Sequence, residues 1–342
     1  SIIIKIFRLI FNHFLYFWKG EKHMEQYERH QETTSESSQK NLRKDNFFKK
    51  SQMNECTPFI VKVVFFFLGW LGFKFLALVI QFAFLPLYNA GIIDYGMYSA
   101  VVMLVTYGLL AICFVLFFVF NKETGKAFIG DFKDYKAIFF GIALFVVVIL
   151  VEILFSALYR ATMPNIYGAN NNQQGLSDEV AASPLMLFFP IVLFAPFTEE
   201  MTYRVGLIDT IGTKHRLLGL IISAVIFGFI HFSFDSIFLY LNYNNLLASE
   251  SPSLVKEISA TGVYTYYTLE EVKINMINEF LNLPVYISAG LIIGYGYTRT
   301  GKISTSIATH MSNNLYSFIS MLVLLNQANQ GQIVSILPFF IR

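Results

Sequence analysis

Residues 137–159 read AIFFGIALFVVVILVEILFSALY, twenty-three consecutive residues with one carboxylate, Glu152, and no cation. As a helix rising 1.5 Å per residue this stretch is ~34 Å long, enough to cross a hydrocarbon core of ~30 Å. A helix also satisfies its own backbone hydrogen bonds there, which an open strand cannot. The stretch does not alternate apolar and polar residues, so a transmembrane β-barrel is excluded.

Runs of the same kind lie on both sides of it. They are Phe59 to Tyr88, Tyr98 to Phe120, Leu185 to Arg204, Leu217 to Leu239, Met276 to Tyr297 and Ile303 to Leu325. The expected fold is therefore an all-α polytopic bundle of about seven transmembrane helices, in contact with the lipid bilayer. Composition agrees: 55% of the 342 residues are hydrophobic and 14% are charged, against roughly 25% charged in a soluble domain. The net charge of +2 gives no reason to expect a nucleic-acid partner. Cys56 beside the first span and Cys113 inside the second are read as ordinary thiols, too few for a disulfide framework or a cysteine metal cluster.

Four regions follow. Residues 1–57 comprise an apolar start, Ser1 to Trp18, read as an interfacial helix, a weak span or a signal-like segment, and then a polar tail expected to be disordered. Met24 and Met53 are alternative starts of the chain. Residues 58–183 hold three spans, 184–325 hold four, and 326–342 form a short end in which Ile333 to Phe340 is too short to cross. The loops from Thr162 to Ser183 and from Tyr240 to Asn275 are the longest.

Cations near the span ends set the orientation. Lys122, Lys126, Lys133 and Lys136, then Lys214 and Arg216, then Arg299 and Lys302 all fall on one side, together with the basic tail at Arg43, Lys44, Lys49 and Lys50. Asp94, Asp178, Glu179, Glu250, Glu257, Glu270 and Glu271 fall on the other. The reading is an odd number of spans with the N-terminus in the cytoplasm. No internal repeat is visible, which weakens a transporter reading.

Ionisable groups inside a span are costly and so are candidates for function. Three sets stand out: Glu199-Glu200-Met201-Thr202-Tyr203-Arg204, Phe227-Gly228-Phe229-Ile230-His231, and His310-Met311-Ser312-Asn313-Asn314. Glu200 and Arg204 are four apart and share a helix face, leaving Glu199 turned ~100° away. His310 and Asn314 share a face in the same way. If the three helices meet, a carboxylate, two imidazoles and a carboxamide supply a base for water and donors for an oxyanion. Counting residues from the helix ends places the site in the cytoplasmic half of the membrane, provided the fourth span continues past Arg204 toward Asp209.

These three sets, in this order, resemble the CAAX protease and bacteriocin-processing (CPBP/Abi) family of membrane glutamic endopeptidases over roughly residues 184–325. The family pattern is a double Glu with Arg four residues after the second, Phe with His four residues on, and His with Asn four residues on. The resemblance implies that Glu199 polarises a water, His231 holds it, His310 and Asn314 stabilise the oxyanion, and Glu200 and Arg204 support the site. It implies no cofactor and no metal. One departure is Val205, which separates Arg204 from Gly206.

Simpler readings stand beside these. Glu199 and Glu200 could be a solvated pair at a membrane boundary, His231 and Asn314 could join helices by hydrogen bonds, Asn313 could replace Asn314, and Arg204 could mark the interface. Glu with two His is also a zinc-type ligand set, although no His-Glu-x-x-His occurs. Glu152 is assigned no role. The composition is that of an AT-rich bacterial genome, where prenylated substrates are not expected. A small peptide precursor, whether pheromone, bacteriocin or leader, is then the substrate class, with bacteriocin immunity as a related role. The alternatives are a non-catalytic membrane protein that regulates a partner such as a sensor kinase, and a zinc-dependent membrane protease.

Overall fold

In the computed structural model, described for residues 48–49, 51–212, 215–258 and 264–329, the chain is a bundle of helices with one short hairpin. The apolar start, the basic tail before residue 48 and the segment Ile333 to Phe340 lie outside the described residues. Helix α1 is Gln52–Cys56, α2 Phe59–Asn89, α3 Tyr95–Phe120, α4 Lys122–Phe132, α5 Tyr135–Thr162 and α6 Asn171–Ala182. Then come α7 Pro184–Ile211, α8 Arg216–Ile230, α9 Phe234–Ala248, strands β1 Val255–Ile258 and β2 Tyr264–Tyr266, α10 Leu269–Thr300 and α11 Ile303–Asn329.

Five of these, α2, α3, α5, α7 and α10, are long and apolar enough to cross a membrane, and the bent pair α8–α9 makes a sixth. The seventh expected span is present as the 27-residue α11, but its Ser, Thr, His and Asn residues keep it out of that apolar group. Leu150, Leu154 and Leu158 on α5 point outward at more than half exposure, as residues facing lipid do. The chain is a multi-pass membrane protein.

Helix boundaries follow local chemistry. The Asp94 carboxylate accepts from the Met97 amide at 2.7 Å and starts α3. Asp134 does the same for α5 through Ala137. Asn170 and Gln173 form a capping box at α6, as Thr268 and Glu271 do at α10, each satisfying two amides that a helix start leaves open. Gly301, at φ 70°, ends α10 in the left-handed region where glycine carries no Cβ penalty.

Four expectations need correction. The stretch 217–239 is not one straight span: it breaks at His231 to Ser233 and bends by 47°, because Ser233 turns extended and its amide is taken by the Glu279 carboxylate at 3.0 Å. The loop from Thr162 to Ser183 contains α6. The loop from Tyr240 to Asn275 contains the end of α9, the hairpin and the first turns of α10. Finally, the last residues of the expected tail join the fold: Met53 is buried, and Thr57 donates to Thr124 on α4.

On the side of the basic loops, Asp131 of α4 ties down the start of α11. Its carboxylate accepts from Lys302 Nζ at 3.0 Å and from the Ile303 amide at 2.9 Å, and its carbonyl accepts from Ser304 at 2.7 Å. Burial pushes the Asp131 carboxyl above its ordinary range in spite of these two donors. Helix α11 packs mainly on α5, and α8 on α10. Small residues permit the contact: a Cβ on Gly141 of α5 would lie 2.3 Å from the Thr305 carbonyl oxygen of α11.

Candidate active site

Helix α7 is irregular where it matters. Two stretches, Phe189–Phe194 and Met201–Ile208, are wound as π-helix on either side of the glutamates, a widening that tends to occur at functional sites because it re-aims side chains. The helix runs on to Ile211, past Arg204, as the depth argument required.

Glu200 and Arg204 pair beneath the site. Arg204 Nε donates to Glu200 Oε2 at 2.7 Å and a second guanidinium nitrogen to Oε1 at 3.3 Å, with both side chains fully buried. Arg204 also donates to Ser223 of α8 at 2.7 Å, and Ser223 donates on to the Tyr203 carbonyl. The Phe227 ring lies 5.5 Å from the guanidinium carbon. A buried ion pair of this kind is tolerable only when its remaining hydrogen-bonding capacity is used, and here it is.

Glu200 has a further partner. His310 Nδ1 lies 2.9 Å from its Oε1; a carboxylate accepts, so Nδ1 carries the proton and Nε2 is the atom turned outward. That Nε2 lies 4.0 Å from Glu199 Oε2. Glu199 accepts from the Tyr107 hydroxyl of α3 at 3.1 Å through its other oxygen, and its Oε2 is buried with no hydrogen bond.

His231 sits at the break after α8. Its Nδ1 donates to the Phe227 carbonyl at 2.9 Å, which leaves Nε2 as a lone-pair acceptor in the neutral ring. The ring stacks on Tyr286 of α10 with centroids 4.6 Å apart and planes 13° from parallel. Asn314 donates to the Ile191 carbonyl at 2.9 Å, bridging α11 to the π-wound part of α7. Asn313 has a buried carbonyl oxygen with no hydrogen bond.

A cavity of about 200 Å³ joins these groups: Glu199, His231, His310, Asn313 and Asn314 all line it. Glu200 and Arg204 do not; they lie behind His310. Glu152 lines the wall as well and has no hydrogen-bond or ion-pair partner among the described residues. Gly168, Asn172 and Gln173 from the segment before and within α6 form the far end. The cavity therefore extends from the site toward the face opposite the basic loops. There α6 and the residues before it, expected as loop, fold over the bundle.

Three contributors were not singled out in the sequence. Tyr107 and Tyr286 stand in apolar runs where a tyrosine is unexceptional. Glu279 on α10 accepts from the amides of Asn171 and Ser233 at 2.8 and 3.0 Å and from the Asn170 side chain at 3.3 Å. Only its place within a span, next to no cation, marked it. Among the described residues no three of His, Cys, Asp and Glu are grouped so as to hold a metal ion.

Residues 181–316 match the family model described as type II CAAX prenyl endopeptidase Rce1-like. This part of the chain is similar to the CPBP/Abi family, whose Rce1-like members are membrane proteases. The matched stretch contains all three motifs. No curated protein and no solved structure matches the chain.

Proposed function

From that similarity we propose that the chain is an intramembrane endopeptidase in which Glu199 activates water for attack on a peptide bond of a small peptide precursor. The observation that carries the reading is the state of the Glu199 carboxylate: one oxygen is held by Tyr107, and the other is buried, unbonded, 4.0 Å from His310 Nε2 and open to the cavity shared with His231.

Each group then has a part. His231 Nε2 accepts a hydrogen bond from the water and orients it, with Nδ1 and the Tyr286 stack fixing the ring. Glu199 takes a proton from the water as its oxygen bonds to the carbonyl carbon. His310, as an imidazolium whose Nδ1–H is held by Glu200 and whose Nε2–H faces the cavity, and the free amide proton of Asn314 donate to the oxyanion. The carbon–nitrogen bond then breaks, and the proton on Glu199 passes to the departing amine. Glu200, buttressed by Arg204, orients the His310 ring and balances its positive charge. The reaction needs no metal in this scheme. The protein sits in a bacterial cell membrane with its N-terminus in the cytoplasm, as the one-sided placement of Lys and Arg supports.

The test is cleavage of a candidate pheromone, bacteriocin or leader precursor by purified protein, with and without chelator. Glu199→Gln is expected to lower turnover by at least about 100-fold, the scale of a lost general base, while leaving the fold intact. Wild-type activity should survive the chelator. Turnover by the variant would overturn the mechanism, cleavage by neither protein would favour a partner-regulating role, and loss of wild-type activity with chelator would favour zinc.

A further inference from the structure

The cavity has a direction. Along α11 its wall runs from His310 to Met321, and along α5 from Glu152 to Arg160, or ~16 and ~12 Å of helix rise. Both helices climb away from the end where Lys133, Lys136 and Lys302 lie. At the far end the lining includes Asn172, which is exposed. At the near end it is closed, because Glu200, Arg204, Thr305 and Thr309 are fully buried between the cavity and the basic loops.

We infer that the peptide reaches Glu199 from the face opposite the basic loops, the outer face of the membrane, so that cleavage follows export. This rests on the peptidase reading. The cations on α4, at the start of α8 and around the α10–α11 turn give that face its sign: short loops rich in Lys and Arg stay in the cytoplasm. The reaction that supplies the substrate is then translocation of a peptide across the bilayer, and the products are released outside. The water consumed comes from the same side.

Accessibility in whole cells tests this without relying on catalysis. In the full chain with Cys56 and Cys113 replaced by Ser, Asn172→Cys and, as a second reporter, Gln174→Cys should react with a membrane-impermeant maleimide in intact cells. Lys126→Cys should react only after permeabilisation. Labelling of Lys126→Cys in intact cells at a rate equal to or above that of the two reporters overturns the inference. A second arm uses Ser317→Cys on the cavity wall: an impermeant thiol reagent added outside should lower precursor processing at least 10-fold. Unchanged processing by fully labelled protein also overturns it. Failure of the peptidase reading would look different, as processing kept by Glu199→Gln with the labelling pattern unaltered.

Discussion

At the scale of single residues, the buried Glu200–Arg204 pair and the lone Glu152 make opposite predictions. Arg204→Ala strands the fully buried Glu200 carboxylate, so unfolding should become easier by ~3–5 kcal/mol, measurable as a lowered thermal midpoint in detergent. An unchanged midpoint would mean that water relieves the pair. Glu152 lines the cavity without a hydrogen-bond or ion-pair partner among the described residues, and a carboxylate at such depth costs free energy. Glu152→Leu should therefore raise stability by about 1 kcal/mol or more, and a drop would reveal a partner gained in the membrane. The pairing of Glu200 with Arg204 was legible because a spacing of four fixes a shared face. The contact of Glu200 with His310 was not, since 110 residues separate them and only packing of α7 against α11 decides it. Tyr107 and Tyr286 were hidden for the same reason: their chemistry lies in where their helices dock.

Among the elements, the spans were readable because length and apolarity alone determine them, and α2, α3 and α5 match their sequence limits within a few residues. What the pattern could not convey were the π-wound stretches of α7 and the break between α8 and α9. Both depend on hydrogen bonds made to other helices, such as that from the Ser233 amide to Glu279. The contact of α5 with α11 gives a prediction. Gly141→Val would place its Cβ 2.3 Å from a backbone oxygen and 3.0 Å from Ala308, so the helices must separate, at a cost of ~1–3 kcal/mol or more. Thermal unfolding in detergent would register it, and a tolerated valine would show the interface to be loose. The junction of α4 with α11 carries a pH dependence. Since the folded Asp131 carboxyl lies above its ordinary value of 3.8, the stability it contributes is present below that value and lost as pH rises through the folded one. Asp131→Asn should flatten that segment of the stability curve.

For the whole molecule, Lys and Arg placement divided the loops into two sides, and the fold keeps them apart. Asp131, Lys302 and Ser304 meet at one end of the bundle, while Asn170, Ser233 and Glu279 meet elsewhere. The location of the cavity was not legible, because the Asn- and Gln-rich segment before α7 carries no periodicity that announces a covering helix. Its attachment has a kinetic meaning. The Asn170 side chain donates both to Glu279 and to the His231 carbonyl, at 3.3 and 3.2 Å, so the cover and the histidine hang from the same bonds. On the proposed peptidase reading, a swing of α6 wide enough to let a chain pass would break these bonds and free His231 from its place, leaving the site idle until the cover resettles. Glu279→Gln should loosen that linkage, slowing turnover more than it weakens substrate binding.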